Sequence, residues 1–198
     1  MKTQFGGKKA AEIGFPGWNW RHEGKNLPWG AVKAEGMAVI FNTLLGEAMT
    51  NTVHHAYLDI RQDGLFYQPA GGNWWMFSQA RDGMLSVVFC DLGVGIPNTL
   101  PLKKKSLFNK IVALGLSGSD AACIEQAVED TRSRTNMSGR GHGLGNIVNV
   151  VCQHSKGNVT ILSNRGCYSL RDGKPARYDF KESIMGTLIS WRIPLLGA

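Results

Sequence analysis

The sequence predicts a two-layer α/β (α+β) sandwich, a mixed sheet with helices against one face. Three observations lead there. Stretches with a helical hydrophobic period alternate with short, β-prone apolar runs. Asp-Gly and Gly-rich turn signals separate them. The 198 residues, 43% apolar and 19% charged, have the composition of an ordinary globular chain able to bury one core.

Residues 1–33 are rich in Gly, Trp and Lys, contain Pro16 and Pro28, and show no clean period. They are expected to form an irregular arm whose Phe15, Trp18, Trp20 and Trp29 pack on the body or on a partner. The domain proper is placed at 34–198. Ala34 to Tyr57 has helical spacing, with Val39, Ile40, Leu44, Glu47 and Val53 at three- and four-residue steps. Gly36 and Gly46 weaken that helix, and Gly46 is expected to admit a close neighbour. Trp74–Phe77 and Leu85–Cys90 read as adjacent strands around the Asp82-Gly83 turn. Residues 98–140 are more polar, with a short helix at Ala121–Thr131. A Gly cluster, Gly139 to Gly145, then opens an amphipathic helix, Leu144–Cys152. Val159–Leu162 is a strand, Asn164-Arg165-Gly166 and Arg171-Asp172-Gly173 are turns, and Leu188–Pro194 is a final strand.

The formal net charge is +7, which suits an anionic partner. The charge is dispersed, and the one dense run, Lys103-Lys104-Lys105, is expected to be a solvated loop. No nucleic-acid module motif occurs, so nucleic acid is not the expected partner. The four cysteines, Cys90, Cys123, Cys152 and Cys167, have neither CxxC pairing nor zinc-site spacing. Cys90 and Cys152 read as small core residues, in a reducing compartment. Neither a signal-peptide core nor a membrane-spanning run is present, which leads to a cytoplasmic expectation.

Three motifs carry chemistry together. In Glu47-Ala-Met-Thr-Asn51-Thr-Val-His54-His55-Ala56-Tyr57, the carboxylate and the carboxamide lie one helical turn apart on one face. The amide oxygen suits a hard cation, and the carboxylate can orient and deprotonate a water. Asp91-Leu-Gly93-Val-Gly95-Ile96-Pro97 places a carboxylate at a strand end beside a Gly-rich turn, where it can accept a hydrogen bond from an amine. Gly139-Arg140-Gly141-His142-Gly143-Leu144-Gly145 opens a helix and offers backbone N–H groups to phosphate. It is neither a Walker A loop nor a dinucleotide fingerprint.

In this order the three motifs resemble the N box and the two glycine boxes of the gyrase, heat-shock chaperone, histidine kinase and MutL (GHKL) ATPase superfamily. Gly186-Thr187 resembles that family's closing Gly-Thr element. The resemblance spans about Ala34 to Leu195. The wording GEAMTNTVHHAY is similar to the anti-sigma-factor serine kinases, whereas DLGVGIP and GHGLGNI lean toward histidine-kinase-like ATP-binding domains.

The resemblance implies a Bergerat ATP-binding fold, with ATP and Mg²⁺ as cofactors. Asn51 would ligate the metal, and Glu47 would be the general base. Asp91 would bind the adenine amine with help from Thr187. Gly93, Gly95 and Ile96 would shape the base pocket. Gly141, Gly143, Leu144 and Gly145 would cradle phosphate, with Arg140 as a counter-charge and His142 as a further phosphate contact. Residues 98–140 would be the ATP lid. His54 departs from the family, since histidine kinases often have Lys or Arg there, so phosphate contact at that position would depend on pH.

The activity implied is Mg-dependent ATP binding with slow hydrolysis, acting as a conformational switch for a protein partner, with homodimerisation as one form. A partner-switching serine or histidine kinase is the first alternative. A non-catalytic nucleotide-binding module of a stress or defence system is the second. A gyrase- or MutL-like role is disfavoured, because it needs a further domain to supply a phosphate-binding lysine.

Overall fold

A computed structural model describes residues 4–5, 8–9, 35–58, 74–133, 143–154 and 156–195. In chain order these form β1 (Gln4–Phe5), β2 (Lys8–Lys9), α1 (Glu35–Asn51) with a π-helical turn (Thr52–Ala56), β3 (Trp74–Arg81) and β4 (Met84–Asp91). Next come α2 (Ile96–Lys103), α3 (Lys105–Ala113), α4 (Asp120–Ser133) and α5 (Gly143–Cys152). The chain then runs through β5 (Asn158–Ser163), β6 (Gly166–Arg171), β7 (Lys174–Asp179) and β8 (Thr187–Pro194). Strands β1 and β2 pair as a two-residue ladder. The rest of the expected N-terminal arm lies outside the described residues.

The fold is α+β, built on a six-stranded sheet of order β3-β4-β8-β5-β6-β7. Every neighbouring pair is antiparallel, which corrects the expected mixed sheet. Strands β4 and β5 do run parallel to each other, connected through α2–α5. The final strand β8 inserts between them and opposes both. The remaining neighbours are joined by short hairpin turns, which only antiparallel strands permit. At Asp82-Gly83 (φ 52° and 69°) and Asp172-Gly173 (φ 50° and 73°) both central residues are left-handed, matching the twist of the flanking strands.

Alternation decides which face is covered. Trp74 and Met76 of β3, Leu85, Val87 and Phe89 of β4, Ile189, Trp191 and Ile193 of β8, and Val159 and Ile161 of β5 are all buried on one side. Trp74 stacks on Phe89 at 5.0 Å between centroids. Helices α1, α4 and α5 cover this face through Leu44, Leu45, Ala48, Ile124, Val128, Leu144, Ile147, Val148 and Val151. A smaller core, formed by Leu100, Leu107, Ile111, Ala122 and Cys123, joins α2, α3 and α4.

Several expectations change here. The polar region 98–133 contains the short helix expected at Ala121–Thr131, as α4, and two further helices, α2 and α3, that were not expected. Helix α2 was hidden by its prolines; Pro97 falls in the first turn, where a missing N–H costs nothing, while Pro101 lies inside the helix. Strands β6 and β7 were visible only as their bounding turns. All six residues of β7 are exposed, so it carries no apolar alternation. Cys152 is exposed rather than core, while Cys123 and Cys167 are buried, and no disulfide joins any of the four. A Cβ on Gly46 would meet nothing within 4 Å, so among the described residues no element approaches α1 there. Among the described residues, no helix is long and apolar enough to cross a membrane.

Candidate functional site

A cavity of about 460 Å³ opens between α1 with its π-helical turn, the ends of β4 and β8, α2, α4 and the start of α5. That volume suits a nucleotide-sized ligand. Nine residues singled out from the sequence line it: Glu47, Asn51, His54, Asp91, Gly95, Ile96, Gly143, Leu144 and Thr187. Gly93 and Gly145 are buried but are not part of the lining. Arg140, Gly141 and His142 lie outside the described residues.

The floor is a polar row at the end of an otherwise apolar sheet face. Asp91, Thr187 and Ser163 stand in register on β4, β8 and β5 and are buried. Asp91 Oδ1 accepts the Gly93 N–H at 3.0 Å. The Thr52 hydroxyl, 3.2 Å from the Ala48 carbonyl, also makes a longer contact of 3.3 Å to Asp91 Oδ2. Ser163 Oγ accepts the Ile96 N–H at 2.8 Å and lies 3.0 Å from Thr187 Oγ1. Asp91 and Thr187 both belong to the cavity lining. Ser163 and Thr52 were missed in the sequence. Pairing the strand that ends at Ser163 with the one that begins at Thr187 would have found the former.

Close backbone packing sets this floor. Gly93 sits so tightly on the π-helical turn that an added Cβ would lie 2.1 Å from the Ala56 carbonyl oxygen. The next N–H, of Val94, donates to that oxygen at 2.7 Å. Gly186 (φ 150°) leaves no room either, with a Cβ falling 2.3 Å from the Asp91 carbonyl oxygen. Thr99 Oγ1, from α2, contacts the His55 carbonyl at 3.1 Å. The turn of α1 into π geometry follows the Thr52 side-chain contacts and brings both His54 and His55 to the cavity. Their rings meet edge to face at 6.2 Å. Burial first, then the charges of His54, Lys103 and Lys104, hold His55 below the usual histidine range.

On the opposite wall, Glu47 Oε2 accepts the Gly143 N–H at 2.9 Å, and Oε1 accepts from Asn146 Nδ2 at 3.1 Å. The carboxylate therefore rests on the N-terminus of α5, where backbone N–H groups favour an anion. One turn on, Asn51 Nδ2 is buried without an acceptor among the described residues. A side-chain amide can present either nitrogen or oxygen to the same space, so this group is suited to a ligand oxygen or a cation. No cluster of three or more His, Cys, Asp or Glu that could hold a metal occurs among the described residues.

The lysine run is not a solvated loop. Lys103 and Lys104 line the cavity, as do Thr99, Leu107 and Asp130, none of which was singled out as a site residue from the sequence. No family model matches the chain, and no curated protein matches it.

Proposed function

We propose that the cavity binds ATP with Mg²⁺ in a Bergerat-type arrangement, and that the protein turns ATP over slowly as a conformational switch for a protein partner. The observation that carries this reading is the buried polar pair Asp91–Thr187, facing the Glu47–Asn51 pair and the start of α5 across one nucleotide-sized cavity. Asp91 would accept the exocyclic amine of adenine. Thr187 can donate or accept toward the ring nitrogens, with Ser163 hydrogen-bonded to it from β5. Ile96, Leu144 and Ile189 line the cavity as apolar surface for the base.

The phosphates would lie toward α5 and Asn51. Asn51 would hold the metal through its side-chain oxygen, with phosphate oxygens and water completing the shell. The metal would offset phosphate charge. Glu47, held by Gly143 N–H and Asn146 Nδ2, would orient a water and take its proton. The same group could instead act on an acceptor hydroxyl, which is the kinase alternative.

Calorimetric titration with MgATP and MgGTP tests the base site. Wild type should bind ATP and discriminate against GTP, whose 6-oxo group accepts rather than donates. Asp91→Asn should lose roughly tenfold to hundredfold in ATP affinity, the value of a charge-assisted hydrogen bond, and lose the discrimination. Equal binding of both nucleotides by wild type, or none, would overturn the reading. Phosphate release assayed on the same samples separates turnover from binding alone.

A further inference from the structure

Between α2 and α3 the chain breaks at one residue, Lys104 (φ −136°, ψ 54°). Its backbone is held on both sides: its N–H donates to the Leu100 carbonyl at 2.8 Å, and its carbonyl accepts from Leu107 and Phe108 at 2.9 and 3.0 Å. A fixed backbone at a kink aims the side chain. The Lys104 ammonium reaches Asp130 of α4, with Nζ 3.0 Å from Oδ2. Both residues belong to the cavity lining, and Asp130 is the more buried, at 16% side-chain exposure against 36%.

Lys103 stands beside this pair and makes no ion pair among the described residues. The two lysines act electrostatically on the cavity, since both help to lower the proton affinity of His55 on the facing π-helical turn. A positive edge thus runs from α2 onto the mouth of the cavity. The ion pair is semi-exposed, and such pairs contribute little to stability because water and salt compete for both partners. A polyphosphate carries more charge than one carboxylate and is therefore a stronger partner for the same ammonium.

Resting on the nucleotide reading above, we infer that Lys104 is the residue that selects for the terminal phosphate, and that Asp130 is its placeholder when no phosphate is bound. Binding of a triphosphate would transfer the ammonium from Asp130 to phosphate. The exchange would occur only when the terminal phosphate is present, while the apolar core between α2, α3 and α4 stays in place. Adenosine would leave the pair intact.

Titrations of adenosine, MgADP, MgATP and inorganic tripolyphosphate into wild type, Lys104→Met, Asp130→Asn and the double variant test this inference. Circular dichroism would confirm that each is folded. Lys104→Met should weaken ATP and tripolyphosphate roughly tenfold or more and leave adenosine unchanged. Asp130→Asn should tighten ATP about threefold to tenfold, an effect that vanishes when residue 104 is Met. Equal ATP affinity in wild type and Lys104→Met, with Asp91→Asn still impaired, would overturn the Lys104 assignment and leave the base site standing. Persistence of the Asp130→Asn gain in the Lys104→Met background would reduce Asp130 to general electrostatics and overturn the exchange. Lys104-dependent binding of tripolyphosphate without ATP binding would support the anion site and sink the adenine reading. Failure of wild type to bind either would sink both.

Discussion

Gly93→Ala is the sharpest test of how the site is built. The new Cβ would sit 2.1 Å from the Ala56 carbonyl oxygen and 2.6 Å from both the Ala56 carbonyl carbon and its Cβ. Those distances are more than 1 Å inside ordinary contact, and the obstacle is backbone, which cannot swing aside as a side chain can. The β4–α2 loop and the π-helical turn must therefore separate. Separation breaks the 2.7 Å Val94–Ala56 hydrogen bond and displaces the Gly93 N–H from Asp91 Oδ1. Forcing extra volume into packed structure costs about 1–3 kcal/mol, and an unmade buried hydrogen bond about 1–3 kcal/mol. The expected loss is about 2–5 kcal/mol of unfolding free energy, read from urea denaturation, with ATP binding lost as well. Gly46→Ala is the internal control. It adds the same methyl to exposed helix α1, where nothing lies within 4 Å, and should stabilise by up to about 1 kcal/mol. A Gly93→Ala protein as stable as wild type would refute the described contact between loop and helix.

Other consequences can be checked on the same protein. Native thiol titration should label exposed Cys152 quickly and leave Cys123 silent, since burial, then Asp120 and Asp179, push the Cys123 thiol up to about 11. Cys90, raised by burial and then by Asp91, should react slowly. Because the folded pKa of His55 is depressed, the unfolded chain binds that proton more readily. Stability should therefore fall as pH drops from about 6.5 through the folded value, and His55→Gln should flatten that part of a midpoint-against-pH curve. The effect should be small, since His55 still reaches solvent. Ile147→Ala, at a fully buried position on α5, should cost about 2–5 kcal/mol by denaturant unfolding, whereas removing the half-exposed Arg177–Glu125 ion pair should cost no more than about 1 kcal/mol.

The legible parts of the fold were those whose side chains face the core. Helices α1, α4 and α5 and strands β3, β4, β5 and β8 appear in the apolar period within a few residues of their ends, because one face of each is buried. Strand β7 is wholly exposed, so its hydrogen bonds to β6 leave no trace in hydrophobicity. Helix α3 did leave one, Leu107 and Ile111 at four-residue spacing, masked by the lysines around them. In the site, Glu47, Asn51 and Asp91 were legible because helix spacing and a strand end position them locally. Asp130 and Lys104, which line the cavity, and Ser163, which meets Thr187 beneath it, were not, since each is placed by strand register or helix packing over long sequence separation. Lys104 is the instructive case. A charge run reads as solvated, yet a helix break turned one of its members inward.

The cavity walls meet through polar contacts as well as through the apolar clusters that join α1, α4 and α5 and α2, α3 and α4. Glu47 joins α1 to α5, Thr99 joins α2 to the π-helical turn, Ser163 joins β5 to the start of α2, and Lys104 joins the α2–α3 kink to α4. Contacts of this kind exchange partners with water or ligand at little net cost, whereas the sheet and the inner faces of α4 and α5 are held by buried side chains that cannot. A ligand in the cavity would meet these exchangeable contacts first, while the apolar clusters hold the helices to one another and to the sheet.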